Sequence, residues 1–471
     1  MAQNAAVPAP HPQRWLILFS VMAAGIMGPI DGSVVNVAMP TFSSVFNVEI
    51  HTVSWVSMAY LLMLGSLILT YGRLGDMFGF RRILLLGIVL FTAASAFCAL
   101  SPNIWVLVFF RALQAIGAGM FMAMGPAIVT SVFPPQERGR ALGTNGMIVA
   151  VGLALGPTLG GFLLAYAGWQ SIFTINIPIG ILGFLLCLKV IPVDKNRRDQ
   201  NFDLTGAMLG FVALGSFLLV GSYGEEWGWT STPALVFLAL FVFATAAFIY
   251  WERRVEDPML DLTLFENRVF SAANFASLMN FMSLSAVMFL LPFYLQRVLH
   301  FDARLIGLIL TVSPAMMLIL APTSGALSDR VGTRWLAFTG QGLVALAMFL
   351  MSFLGEHSGV LDVVWRLAIF GLGTGIFQSP NNNAVMGAVP RHRLGVGSGM
   401  LATVRNVGMV LGIAVSSGVM TWQLAAYQGS LSALGTDSAT AFMAGLKVAF
   451  RVGSALALLG ALVNIYTQKK R

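Results

Sequence analysis

Asp31 is the side chain in this sequence whose surroundings most demand a chemical explanation. It lies in MGPIDGSVVNVAMP, inside an apolar run that begins at Trp15. If that run is helical, Asp31 stands roughly 24 Å along it. A carboxylate at such depth in a bilayer costs about 2.5–3.5 kcal/mol on insertion scales, so it needs a partner or a task. A carboxyl there can take a proton from one side and release it to the other, and its ionised form can hold a cationic substrate. The competing reading is structural: Asp31 caps a helix interrupted at Gly28, Pro29 and Gly32.

A second candidate is the RALQAIGAG stretch, with Arg111 and Gln114. A buried cation there needs an acid, backbone carbonyls or water, so Arg111 is either a hydrogen-bond anchor or the proton-coupling partner. Amides supply a third. Gln378, Asn381, Asn382 and Asn383 in FQSPNNNAVMG, with Asn274 and Asn280, either bond between helices or contact substrate. The run GMFMAMG adds adaptable apolar surface that can line a cavity.

These residues need a membrane scaffold to position them. The chain has 471 residues, 57% of them hydrophobic and 10% charged, with a mean hydropathy of +0.82. Soluble domains carry about 25% charged residues, so an all-α polytopic membrane protein is expected. Hydropathy marks fourteen transmembrane helices, near 15–39, 52–73, 82–101, 104–131, 140–167, 171–191, 203–222, 233–252, 268–297, 303–327, 334–354, 361–388, 397–424 and 441–467. The net charge of +8 does not point to nucleic acid, because the cations are spread by loop. Twenty of the 27 Lys and Arg fall on one set of alternating loops, which predicts both termini in the cytoplasm. The two cysteines, Cys98 and Cys187, lie near opposite membrane faces and cannot pair.

The chain also repeats itself. GRLGDMFGFRR at Gly72 returns as GALSDRVGTRW at Gly325, so Gly72, Asp76, Gly79 and Arg81 match Gly325, Asp329, Gly332 and Arg334 at one offset of 253. VGLALG at Val151 returns as VGMVLG at Val407, at an offset of 256. Two near-equal offsets imply a duplicated six-helix unit, 14–191 and 268–467, with 192–267 carrying two inserted helices. Asp76, Arg81, Asp329 and Arg334 flank glycine turns and are expected to form a latch that opens as the halves rock.

GRLGDMFGFRR resembles the signature between the second and third helices of the major facilitator superfamily. IDGSVVNVAMP, WVSMAYLL, FPPQERGRALG, LGPTLGG, WQSIFTINIPIG, LPFYLQ and QSPNNNAVM are similar, in order, to its fourteen-helix drug:proton antiporter branch. The resemblance implies the major facilitator fold, with helices one, four, nine and twelve around a cavity expected to include Asp31, Gln114, Asn280, Gln378, Asn381 and Asn382. It implies Gly152, Gly156, Pro157, Gly160 and Gly161 as the antiporter motif, and export rather than uptake. The sequence departs from the pattern at Ala115, where the family usually has glycine, and the second copy has Ile413 in place of Pro157.

No GxxxxGK[ST], HExxH, CxxC or GxSxG occurs, so no enzyme is expected. The expectation is a proton-coupled exporter of amphiphilic drugs or toxic compounds, cationic or neutral, working by alternating access in the plasma membrane. No cofactor is expected beyond the proton gradient, with Asp31 and Arg111 coupling the protons. The expected partners are protons, substrate and the lipid bilayer, with the chain a monomer. An uptake carrier, an exporter of one physiological metabolite and a non-transporting receptor remain the alternatives.

Overall fold

The structure is a computed structural model that describes residues 12–48, 50–193, 202–256, 258–301, 303–434 and 438–467. Among the described residues it is all helix. The first half of the chain holds α1 (Arg14–Gly25), α2 (Met27–Phe46), α3 (Ile50–Ser66), α4 (Ile68–Phe78), α5 (Phe80–Ala99), α6 (Ile104–Val132), α7 (Arg138–Ala167), α8 (Ser171–Thr174) and α9 (Asn176–Val190). A hairpin follows, of α10 (Leu204–Trp227) and α11 (Thr232–Glu252). The second half holds α12 (Arg268–Arg297), α13 (Ala303–Leu310), α14 (Val312–Val331), α15 (Thr333–Met351), α16 (Val360–Ala388), α17 (Leu394–Leu434) and α18 (Ser438–Thr467).

Several of these helices are pieces of one rod. Proline lacks the N–H that would bond the carbonyl four residues back, and its ring crowds that carbonyl. Pro29, Pro178 and Pro314 accordingly follow breaks at Gly25, Thr174 and Leu310, the last residues of α1, α8 and α13. The α3–α4 break, a bend of 53°, falls at Gly65 and Ser66, a residue pair that weakens helices by another route. Joining the pieces leaves fourteen rods. Among the described residues, twelve helices are long and apolar enough to cross a membrane, and the bent pair ending at Phe78 makes a thirteenth.

The fourteenth rod is α7, 30 residues long, which packs on α2 and α14. The rods differ from the hydropathy ranges mainly by running on: α17 reaches Leu434 and α10 reaches Trp227. Asp76 and Asp329 also lie within the last turns of α4 and α14, so the reversals themselves reduce to Gly79 and Gly332. Those two have φ of 97° and 87°, where a side chain would be strained.

Packing repeats along the chain. Helices α5 and α6 pair as α15 and α16 do, α2 and α7 pair as α12 and α17 do, and α5 meets α9 as α15 meets α18. The halves meet where α7 crosses α14 and α16, and where α17 crosses α4 and α6. The α10–α11 hairpin lies against α3 and α17. Cys98 and Cys187 are both buried and free.

Candidate functional site

Asp31 sits inside α2 and is 1% exposed. It does not cap a helix. Its Oδ2 accepts from Arg111 Nη1 at 2.5 Å, and its Oδ1 accepts from Gln114 Nε2 and Asn176 Nδ2, each at 2.9 Å. Arg111 is also 1% exposed; its Nε donates to Val56 O at 3.2 Å, and its guanidinium lies 4.2 Å from the Tyr60 ring centre. Gln114 Oε1 accepts from Arg111, and its Nε2 also donates to Ser95 Oγ at 2.7 Å. Asp31, Arg111 and Gln114 together therefore tie α2, α3, α5, α6 and α9. A buried pair with its remaining hydrogen bonds satisfied is the arrangement in which attraction offsets desolvation. Asn176, on α9, escaped the sequence reading because nothing local distinguishes it; only the fold brings it to Asp31.

The central cavity is elsewhere. It is an empty space of about 800 Å³, counting the part open to solvent, lined from both halves by α1, α2, α6, α7, α12, α16 and α17. Of the residues expected there, Gln378 and Asn382 line it. Asp31, Gln114, Asn280 and Asn381 do not. Asp31 and Gln114 turn into the buried network just described, because Arg111 claims them. Asn280 donates to Gln341 Oε1 at 2.9 Å within the second half, and Asn381 is 1% exposed. The counter-charge that Asp31 was expected to offer a cationic substrate is thus absent from the cavity wall.

Arg405 of α17 supplies the cavity's charge, with Asn145 of α7 among its polar neighbours. The sequence reading did not single out Arg405. The available signal was its position, as one of five Lys and Arg left inside helices once the loop cations were assigned.

At one end of the bundle the halves are clasped twice. Asp76 Oδ1 and Oδ2 accept from the N–H groups of Gly395 at 2.8 Å and Val396 at 3.0 Å. Asp329 does the same for Gly139 at 2.9 Å and Arg140 at 3.1 Å. Each aspartate therefore caps the first turn of a helix in the opposite half, where unpaired N–H groups and the helix dipole favour an anion. A methyl on Gly72 would strike Gly395 O, and one on Gly325 would strike Gly139 O, so glycine permits both approaches. Each arginine expected in this latch has a contact within its own half. Arg81 Nη2 donates to Leu188 O at 2.6 Å, and Arg334 lies over the Trp335 ring.

The glycine motif forms one face of α7. Gly152 meets Pro29 and Ile30, Gly156 meets Ser33, and Gly160 meets Val34, all on the helix that carries Asp31. Ser33 Oγ also donates to Gly152 O at 3.1 Å. Gly161 faces outward with nothing near it, and the Pro157 side chain lies outside the described residues. The second half repeats the contact, with Gly408 and Gly412 against α12.

The family model described as Major Facilitator Superfamily matches residues 21–251, 202–413 and 273–463. The chain is 33% identical over 459 residues to the riboflavin transporter RibZ of Clostridioides difficile (strain 630), covering 97% of this chain and 98% of that protein. It is also 33% identical over 413 residues to the multidrug resistance protein Stp of Mycobacterium tuberculosis (strain CDC 1551 / Oshkosh), covering 87% and 77% respectively. Among solved structures, the human organic anion transporter MFSD10 (TETRAN) superposes with a TM-score of 0.68 at 16% identity, covering 96% of this chain and 100% of that one, a likeness of fold. A duplicated helical bundle with a central cavity, matched along nearly its whole length, is a multi-pass membrane transporter that belongs to the major facilitator superfamily.

Proposed function

We propose that this transporter is a proton-coupled exporter of amphiphilic compounds in the plasma membrane, with both termini in the cytoplasm. The observation that carries the reading is the Asp31 network. Protonating Asp31 removes the charge that holds Arg111, and Arg111 sits on the same helix as the cavity residues Phe121 and Met122. Asp31 shares α2 with Pro29, which also lines the cavity. Loading and unloading one proton therefore acts on two walls of the substrate space without the proton entering it. The glycine face lets α7 stay close to α2 while this happens. Likeness to a multidrug resistance protein supports export of varied compounds. The riboflavin transporter, similar over 97% of this chain, favours a second reading, a carrier for one metabolite.

The test is reconstitution in liposomes with an imposed pH gradient, recording substrate and proton movement together. Wild type should drive substrate uphill, and Asp31→Asn should not. Because Asn leaves Arg111 charged and unpaired, the double variant Asp31→Asn/Arg111→Gln serves as the folded control. Uphill flux with wild-type coupling in either variant would make Asp31 a structural anchor. Inverted vesicles then settle direction, and a substrate panel separates broad export from a single metabolite.

A further inference from the structure

We propose that the central cavity selects organic anions, bound through Arg405; this rests on the reading of that cavity as the exporter's substrate site. Arg405 lines the cavity, and among the described residues it makes no hydrogen bond or ion pair with the protein. A guanidinium remains ionised at any working pH, so it cannot escape its position by losing a proton. A cation deep in a membrane protein is ordinarily matched by an acid, a carbonyl or water. Among the described residues, no Asp or Glu lines this cavity. Asp31, the acid expected there, is enclosed by Arg111, Gln114 and Asn176 and does not reach the wall. The potential in the cavity is therefore positive and uncancelled until a ligand brings the missing charge.

The remaining wall fits such a ligand. Gln378 and Asn382 stand four residues apart on α16 and so share a face, with Asn145 contributed by α7. Amide N–H groups there can take the acceptor oxygens that a guanidinium leaves over. Phe121 and Phe281, from opposite halves, offer rings to an apolar body. The substrate class is an amphiphile with a carboxylate-like head and an aromatic or aliphatic tail. Cations are repelled, and neutral analogues forfeit the charge-assisted bond.

The experiment is equilibrium binding to the full chain in phosphatidylcholine nanodiscs, without a gradient, so that a failure of proton coupling does not affect it. Three probes of one shape are compared: 1-naphthylacetate, 1-naphthylacetamide and 1-naphthylmethyltrimethylammonium. The carboxylate should bind at least about tenfold more tightly than the amide, with the cation weakest, and added salt should shrink the difference. Arg405→Gln should erase the preference, bringing carboxylate binding down to that of the amide measured in the same variant. Arg405→Lys, which keeps the charge and the fold, should retain part of it. Lack of a carboxylate preference in wild type, binding of none of the probes included, overturns the proposal. So does a preference that survives in Arg405→Gln protein eluting as a folded monodisperse peak.

Discussion

Near the start of α6, Arg111 is buried on Asp31; near the start of α16, its counterpart Arg366 sits at an edge. Arg366 donates to Leu350 O at 3.1 Å and Asp362 O at 2.6 Å, and its acid, Asp362, has a side chain 51% exposed. The glycine faces align Ser33 with Ser285, which places Ser283 where Asp31 stands. Ser283 merely donates to Met279 O of its own helix at 2.9 Å. The reverse holds at the cavity, where Arg405 of the second half matches Val149 of the first at the repeat offset of 256. The two halves thus keep the same latches, reversals and glycine faces but not the same charges. What the duplication preserves is the machinery of close approach. What it has let diverge is where charge is buried: an acid–base pair walled off in one half, a lone cation facing the cavity in the other.

The contrast breaks most visibly if the arginines are removed. Arg111→Gln leaves Asp31 buried with no counter-charge, and breaking a buried pair in this way typically costs about 3–5 kcal/mol. Arg366→Gln removes a partner from an acid that water already reaches, a change of about 1 kcal/mol or less. Thermal unfolding of the two variants in detergent measures the difference. Equal losses would mean that the second half buries its charge as deeply as the first.

The glycine faces test the opposite point, that the halves are alike. Sequence resemblance assigns the antiporter motif to the first copy, which predicts that Gly156 tolerates less than Gly412. The contacts say otherwise. A methyl at Gly156 meets the Oγ, Cβ and backbone carbon of Ser33, and one at Gly412 meets the Ser285 Oγ and the backbone of Met282. Both clashes include atoms that move only with the facing helix, so Gly412→Ala should be as damaging as Gly156→Ala. Each is expected to cost about 1–3 kcal/mol by overpacking. Transport that survives Gly412→Ala and fails in Gly156→Ala would restore the asymmetry.

Periodicity and repetition made most of the frame legible in the sequence. The run of apolar residues marks a rod whatever it packs against, and a repeat at fixed offset marks paired latches before their partners are known. The latch partners were not legible, because Asp76 reaches Gly395 and Val396 across more than 300 positions through backbone N–H groups that carry no sequence signal. The buried pair was half legible. Depth alone singled out Asp31 and Arg111, but Asn176, Ser95 and Tyr60 join them only through tertiary packing. Cavity membership was the least legible, since hydropathy cannot say which side of a rod a polar residue faces. Asn280 and Asn381 read like Gln378 and Asn382 in the sequence, yet Asn280 donates to Gln341 and neither lines the cavity.

The latches should respond equally. Asp76→Asn and Asp329→Asn each weaken an anionic cap on a helix of the other half, worth about 1 kcal/mol. That corresponds to a shift of about fivefold in the balance between closed and open latch. Maleimide labelling of a cysteine placed at Asn145, on the cavity wall, reads this balance as a rate. Both variants should label faster, within about twofold of one another. A change confined to one of them would show that a single clasp controls opening.

The smallest expected effect sharpens the motif itself. Gly160 and Gly161 are adjacent, and the family resemblance gives them one role, but a helix turns about 100° per residue and points them to different neighbours. Gly160 rests on Val34, while a methyl at Gly161 meets nothing within 4 Å. Gly161→Ala therefore adds no clash, and alanine's better helix propensity works in its favour. Stability should stay within about 0.5 kcal/mol of wild type, with transport unchanged, whereas Gly160→Ala must push against Val34. The measurement is paired: melting temperature and uphill flux for both variants in one preparation. If Gly161→Ala inserts and melts normally but loses flux, a partner must reach that side of α7 in another state of the cycle. The face that α7 presents to α2 would then be only half of its working surface.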